Sequence, residues 1–285
     1  MPHNLPVTPV LRITALNNCL SVAFRHPYNF RGEFHPFWEM VYAMEDLFQV
    51  AGNDKVYAMK KGDIIFHKPM EFHRLWSVEQ RDVHAFIVGF CAEGPMLAQL
   101  EGGAFELNET QQAQLEGLQH FVAQQFPSKK GALEDHLQAM IRERNTQSAQ
   151  LQSFVDQFQL FLLSLSQNPE PLTVKEIADS EDSRLYQATV QLLTEHVDRW
   201  ITTQQVAQAL HYSQSRIKRT FAKFSDIGIH KYLLKLKSAE AIRLLRQGKS
   251  CGEVSRALGF GNQNYFSTVF KRETGFPPSH YSDIP

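Results

Sequence analysis

A duplication near the C-terminal end constrains this chain more than any other feature. Val206 recurs as Val254, Leu210 as Leu258 and Tyr212 as Phe260, all at one offset. Ile217 then recurs as Phe266, Phe221 as Phe270 and Tyr232 as Tyr281, one residue further on. The slip falls where Ser213 stands opposite Gly261-Asn262. A unit repeated at this period is one supersecondary element, which must bury its apolar face against its neighbours. Both copies follow one plan. Thr202-x-x-Gln205 and Ser250-x-x-Glu253 are capping boxes that open a short helix. His211-Tyr212 and Gly259-Phe260 make the turn, and Ser213 and Asn262 cap a second helix.

In that second helix Ile217, Phe221 and Phe224 share one face, as Phe266 and Phe270 do in the other copy. The opposite face carries Gln214, Ser215, Lys218 and Arg219 in the first copy. In the second it carries Gln263, Asn264, Ser267 and Thr268, with Lys271 and Arg272 behind. Two helices crossing at a short turn, the second polar and basic outside, predict a helix-turn-helix. Such a face suits the major groove, where Arg and Lys read guanine and Asn and Gln read adenine. Residues 184–285 carry 15 Lys and Arg against 7 Asp and Glu, a charge of +8, whereas residues 1–183 carry 14 against 23, or −9. The near-neutral whole therefore hides a basic half suited to a polyanion. Between the copies, Ile229 to Arg246 reads as one helix about 27 Å long, able to hold the units near one DNA turn of about 34 Å apart.

The N-terminal part has a different period. Met40–Ala43, Val56–Met59, Ile64–Phe66 and Ala85–Phe90 are short strands between turn signals such as Lys61-Gly62-Asp63. They predict a small antiparallel barrel or sandwich over residues 1–107. Residues 108–167 turn helical, and Leu151, Val155, Phe158, Leu162 and Leu165 form a stripe with Phe154 and Phe161 beside it. The width of that stripe predicts packing against a second subunit as well as the barrel. Residues 168–183, with Pro169, Pro171 and the acids Glu176, Asp179, Glu181 and Asp182, are the expected linker; the DNA-binding domain follows over 184–285. No apolar run reaches the roughly 20 residues of a membrane span. Met1–Val10 does not read as a signal peptide. Three scattered cysteines without C-x-x-C spacing argue against disulfides and zinc, and suit a reducing cytoplasm.

The C-terminal residues resemble the DNA-binding domain of the AraC/XylS family of bacterial transcription regulators. The likeness runs through Val206-Ala207, Leu210, Tyr212-Ser213, Arg219, Phe221, Tyr232-Leu233, Ala241 and Leu244-Leu245. It continues through Glu253-Val254, Gly259-Phe260, Tyr265-Phe266, Phe270-Lys271, Gly275, Pro278 and Tyr281. It implies two helix-turn-helix units in adjacent major grooves. By position, the DNA-binding candidates are Ser215, Arg216, Lys218, Arg219, Gln263, Asn264, Ser267 and Thr268. His211 and Asp226 stand where the family usually has glycine, Lys237 where it has arginine and Ser238 where it has leucine.

The N-terminal half resembles the cupin-like effector domain of that family through His35-x-x-x-Glu39, Lys61-Gly62-Asp63-Ile64-Ile65, Pro69 and His73. Metal-bearing cupins place two histidines, a glutamate and a further histidine here. In this chain Glu33 takes the first place, then His35, Glu39 and His73. These four are the effector-binding candidates. They could hydrogen-bond a polar ligand, form a satisfied structural pair, or hold Fe(II) or Mn(II). The polar-ligand reading is preferred, and no metal, cofactor or catalytic residue is assigned. Trp38 and Tyr42, on the opposite strand face from His35, are expected to pack under the helices, and Cys91 to be buried. The fold class is thus a two-domain chain, an all-β cupin-like barrel with appended helices, then an all-α tandem helix-turn-helix domain. The function is sequence-specific transcription regulation in response to a small molecule, a sugar or related metabolite being one class. The implied partners are promoter DNA, the effector, a second copy of the chain and RNA polymerase. Rival readings are a metal-dependent enzyme and a DNA-binding scaffold without effector.

Overall fold

Short strands separated by tight turns occupy the first third of the chain: β1 (Arg12–Phe24), β2 (Trp38–Ala43), β3 (Phe48–Gly52), β4 (Lys55–Met59), β5 (Asp63–His67), β6 (His73–Ser77) and β7 (Val83–Glu93). The computed structural model describes residues 7–30, 32–45, 47–52, 55–101, 104–128, 130–143, 149–166 and 181–282. After β7 come α1 (Leu97–Leu100), β8 (Ala104–Glu106), α2 (Glu109–Gln125), β9 (Leu133–Asp135), α3 (Leu137–Glu143) and α4 (Ala149–Leu165). The strands form two antiparallel sheets, β8-β5-β2-β7-β1-β9 and β4-β3-β6.

Strand alternation divides the β2 side chains between two cores. Trp38, Met40 and Tyr42 join Phe66, Phe86 and Phe90 in a core roofed by α2 and α4, whereas Val41 and Ala43 join Phe48, Val50 and Leu75 between the sheets. Trp38 and Tyr42 therefore lie beneath the helices. Phe154, Phe158, Phe161, Leu162 and Leu165 belong to that same roofed core, and Phe158 meets Phe90 edge-on at 5.2 Å. The barrel side of the expected packing is thus formed by the aromatic residues of the stripe. The outer face of the large sheet is itself apolar, and covering it uses the aromatic side of α4. Leu160, 65% exposed, is the large apolar residue of α4 left facing outward. The helical segment 108–167 also holds β9, which pairs with β1 through Leu20 and Asp135. Three residues are too few to carry a periodic signal. Cys91, expected buried, is half-buried, with its Sγ 3.3 Å from Asn17 Oδ1.

Apart from residues 181–183, the expected linker lies outside the described residues. Those three open α5 (Glu181–Glu195), whose Leu185, Tyr186, Val190 and Leu193 share a core with Val206, Ile217 and Phe221. Residues 181–183 of the expected linker are therefore helical. Then follow α6 (Thr203–Ala209), α7 (Gln214–Phe224), α8 (Ile229–Arg246), α9 (Cys251–Ala257), α10 (Gln263–Thr274) and α11 (Ser279–Ser282). Both capping boxes are formed, at Thr202/Gln205 and Ser250/Glu253. Ser213 accepts from the Arg216 amide and Asn262 from the Tyr265 amide. His211 (φ 59°) and Gly259 (φ 69°) occupy equivalent left-handed turn positions. At Gly259 a Cβ would sit 2.6 Å from the Asp198 carbonyl, so only there does close approach also require glycine. Asp226 has no positive φ, and the exchange for glycine brings no backbone strain there.

Lys237 is fully buried at the centre of α8. Its Nζ donates to the carbonyls of Val197 (2.7 Å) and Leu258 (2.8 Å) and lies 4.8 Å from the Trp200 ring centre. Trp200 Nε1 in turn donates to the Gly259 carbonyl. One ammonium thus ties the long helix to the turn of the second repeat. Burial, only partly opposed by Asp198, pushes its pKa down to about 8. Between that value and the ordinary lysine range the unfolded chain binds more protons than the folded one. The contribution of Lys237 to stability therefore rises with pH across that window. Lys237→Met should destabilise the protein by about 2–3 kcal/mol, since two buried carbonyls lose their donor. In urea melts the gap between wild type and variant should widen from pH 8 to 10; a constant gap would refute the burial argument.

Candidate functional site

The turn before β2, the strand itself and the start of β6 bring one polar cluster together inside the apolar barrel. Glu33 and His73 exchange backbone hydrogen bonds, and the His35 carbonyl accepts from the Met70 amide. His35 lies ahead of β2 rather than on it, with its ring stacked on Phe37. Its Nε2 nevertheless reaches Glu39 Oε2 at 3.4 Å. His73 Nε2 stands 3.3 Å from Glu39 Oε1 and 3.8 Å from Glu33 Oε1. The donor atoms of all four residues lie within 4.8 Å of one another. The structure thus joins the four residues singled out in the sequence.

Backbone carbonyls orient both imidazoles: Nδ1 of His35 lies 3.0 Å from the Phe37 oxygen, and Nδ1 of His73 lies 3.0 Å from that of Glu71. With each Nδ1 at a carbonyl, each Nε2 is turned toward the cluster. Burial alone would raise the Glu39 pKa, but the charge on His73 and the nearness of both imidazoles hold it well below the ordinary carboxylate range. Burial likewise opposes charge on His73; the carboxylates of Glu39 and Glu33 outweigh it and hold the pKa up to about 10. The cluster extends to residues not foreseen from sequence. Asn18 Nδ2 donates to Glu39 Oε2 at 3.0 Å. His67 stacks on His73 at 4.4 Å and lies 3.3 Å from Glu71 Oε1. Burial, aided by His73, pushes the His67 pKa down, and His67 keeps the buried Glu71 carboxyl low. Only the β2–β5 register, which pairs Glu39 with His67, would have revealed this histidine.

Alternation along residues 70–73 connects the cluster to the helical half. Glu71 and His73 face the barrel, while Met70 and Phe72 enter the two cores of the helix-turn-helix half. Phe34, between Glu33 and His35, packs 5.1 Å from Phe72 and 5.7 Å from Tyr232 of α8. Arg74 donates to the Lys223 carbonyl at the end of α7, 3.0 Å away.

On the outer faces of α7 and α10, Ser215, Lys218, Arg219, Gln263, Asn264 and Thr268 are exposed and Ser267 is half-buried. The Thr268 hydroxyl donates to the Asn264 carbonyl, and Ser267 Oγ sits 3.4 Å from Cys251 Sγ. Arg216, expected beside the base readers, is instead half-buried and paired with Asp182 (2.7 Å) and Glu181 (3.3 Å). Asp182 also binds Lys223 and accepts from Thr220, so it acts as a clamp on α7 and not as a solvated linker acid. Two exposed aromatics, Tyr212 and Tyr265, flank these faces and were not foreseen.

Residues 22–158 match the AraC-like ligand binding domain, and residues 206–283 match a helix-turn-helix domain. The chain belongs to the AraC family of transcription regulators. Over 100 residues it is 30% identical to the bifunctional transcriptional activator/DNA repair enzyme AdaA of Bacillus subtilis, a match spanning 33% of this chain and 47% of AdaA. The chain thus spans less than half of that relative's length. It is 22% identical over 289 residues to the HTH-type transcriptional activator RhaR of Escherichia coli O139:H28, covering 100% of this chain and 98% of RhaR. Among solved structures, ToxT from Vibrio cholerae O395 covers 96% of this chain and 97% of its own at 12% identity and a TM-score of 0.38. Among the described residues of this AraC-family chain, no helix is long and apolar enough to cross a membrane.

Glu39 stands between two buried imidazoles, and its loss should leave charge on His73 uncompensated. Glu39→Ala should destabilise the protein by about 3–5 kcal/mol in urea melts at pH 7 with chelator present. A change within experimental error would mean that water already satisfies the cluster.

Proposed function

We propose that this chain regulates transcription by binding promoter DNA sequence-specifically, under control of a small polar effector held at Glu33, His35, Glu39 and His73. The observation that carries the reading is the alternation at residues 70–73. One short segment contributes Glu71 and His73 to the polar cluster, and Met70 and Phe72 to the cores of the DNA-binding half. A ligand that draws His73 or Glu33 to itself shifts Phe72 and Phe34, and with them Tyr232 of the helix joining the two repeats. By linkage, effector and DNA then alter each other's affinity by the same factor, and coupling of about 1–3 kcal/mol corresponds to roughly 5–150-fold. A sugar or related metabolite suits a pocket of paired imidazoles and carboxylates. The barrel is assigned binding and no catalysis.

Ser215, Lys218 and Arg219 of α7, and Gln263, Asn264, Ser267 and Thr268 of α10, are the proposed DNA contacts, with Arg216 joining them only on release from Asp182. The first turns of both helices lack acidic residues, which favours phosphate nearby. The functional unit is proposed to be a homodimer that contacts RNA polymerase. The outward Leu160, beside Phe121 and the side-chain-free Gly117, supports α2 and α4 as the dimer face. The three free cysteines support a reducing cytoplasm.

An unbiased selection of oligonucleotides by the full chain, followed by fluorescence anisotropy, tests the reading. Arg219→Ala should lower affinity for the selected sequence by about 1–3 kcal/mol while leaving random DNA less affected. Equal losses on both would make it a backbone contact, and failure to enrich any sequence would overturn the proposal. Phe72→Ala should retain DNA binding while losing most of its response to effector.

A further inference from the structure

We infer that Glu33, His35, Glu39 and His73 bind a divalent first-row transition-metal ion through two imidazole nitrogens and two carboxylates. This names a ligand class for the effector site proposed above and rests on that reading for its regulatory meaning. The inference starts from two buried nitrogens. Nε2 of His35 and Nε2 of His73 each lack a hydrogen-bond partner, although the residues are only 8% and 4% exposed. Such groups are normally paired, because desolvation without compensation costs about 1–3 kcal/mol each. A proton shared with Glu39 does not account for both. One carboxylate is flanked by the two Nε2 atoms at 3.4 and 3.3 Å, and neither contact is aligned as a hydrogen bond.

A metal ion resolves the arrangement. Ligands about 2.1 Å from one ion stand about 3.0–3.4 Å apart when adjacent. Three measured separations are 3.3, 3.4 and 3.8 Å, the first two to different oxygens of Glu39, and the whole set spans up to 4.8 Å, so the outlying groups must draw inward on binding. The surrounding groups have the form expected of ligand supports. Each histidine has Nδ1 at a backbone carbonyl, which turns Nε2 inward, and Asn18 fixes one oxygen of Glu39. Two imidazoles speak against magnesium or calcium, which take oxygen ligands, and the absence of sulfur among the four speaks against Cu(I). Iron(II), manganese(II), cobalt(II), nickel(II) and zinc(II) remain. Glu33, with its side chain 48% exposed, gives the ion a way in from solvent and completes the set last.

The test uses full-length protein stripped with chelator, then titrated calorimetrically with Mn(II), Co(II) and Zn(II) chlorides. Bound metal is counted by elemental analysis after gel filtration. One ion per chain is expected for at least one of these metals, with a Co(II) visible spectrum showing mixed nitrogen and oxygen ligation. Glu33→Gln, at an exposed position that leaves the core intact, should weaken binding at least tenfold. His35→Asn and His73→Asn should abolish it, with circular dichroism confirming the fold. No stoichiometric uptake by wild type, or uptake unchanged in Glu33→Gln and His35→Asn alike, overturns the site. Two further outcomes separate it from the effector reading. Uptake that follows these variants while selected-DNA affinity ignores the ion upholds the metal site and counts against its regulatory role. No uptake, with a sugar raising the melting temperature through His35, overturns the metal site and leaves the effector reading standing.

Discussion

Two short segments organise this protein by sending their side chains to opposite sides, one through the alternation of an extended strand and one through a turn. In β2 alternation sends Trp38, Met40 and Tyr42 under the helices, while Val41 and Ala43 face the second sheet with Glu39 on their side. Around residues 70–73 a turn, with Met70 at φ 63°, and the entry to β6 send Met70 and Phe72 into the DNA-binding half, and Glu71 and His73 into the barrel. A one-residue slip of β2 would exchange the polar cluster for the apolar contacts. The polar cluster and the interface between the halves are therefore two faces of one segment, and an effect on one face reaches the other through a few residues of backbone.

The helical half uses a different device to stay rigid. Each short helix has a capping box and each second helix an N-cap, so both repeats satisfy their free amides locally. What remains open is the orientation of the repeats relative to α8. Lys237 fixes this for the second, giving the carbonyls at Val197 and Leu258 a buried donor and packing over Trp200. On the first, Asp182 collects Arg216, Lys223 and Thr220 at the surface of α7. A buried cation and a shielded anion thus brace the two units, one from inside and one from the flank.

Where sequence reading fell short, the reason is long-range packing. The stripe on α4 has the spacing of a helix with a wide apolar face, but spacing cannot say which surface covers it. The sheet's own outer face covers its aromatic side, while Leu160 stays exposed for the proposed dimer contact. Asp182 sits in an acidic, proline-containing stretch that reads as solvent-facing, yet it opens α5 because its partners lie on α7, distant in sequence. His67 carries no motif at all, and it enters the cluster only through its register opposite Glu39.

The chain's local chemistry determined what its elements are. Capping residues, turn residues and the duplication specify two helix-turn-helix units, and the +8 charge of residues 184–285 specifies the kind of surface they meet. These signals act over a few neighbours, so they are written in consecutive residues. Tertiary structure alone decided which of those residues meet: that Glu33, His35, Glu39 and His73 converge on one point, that Phe34 and Phe72 reach Tyr232, and that Arg216 is held by Asp182. Such contacts join segments tens of residues apart, and their geometry follows from how whole sheets and helices bury their apolar faces, which no local pattern encodes.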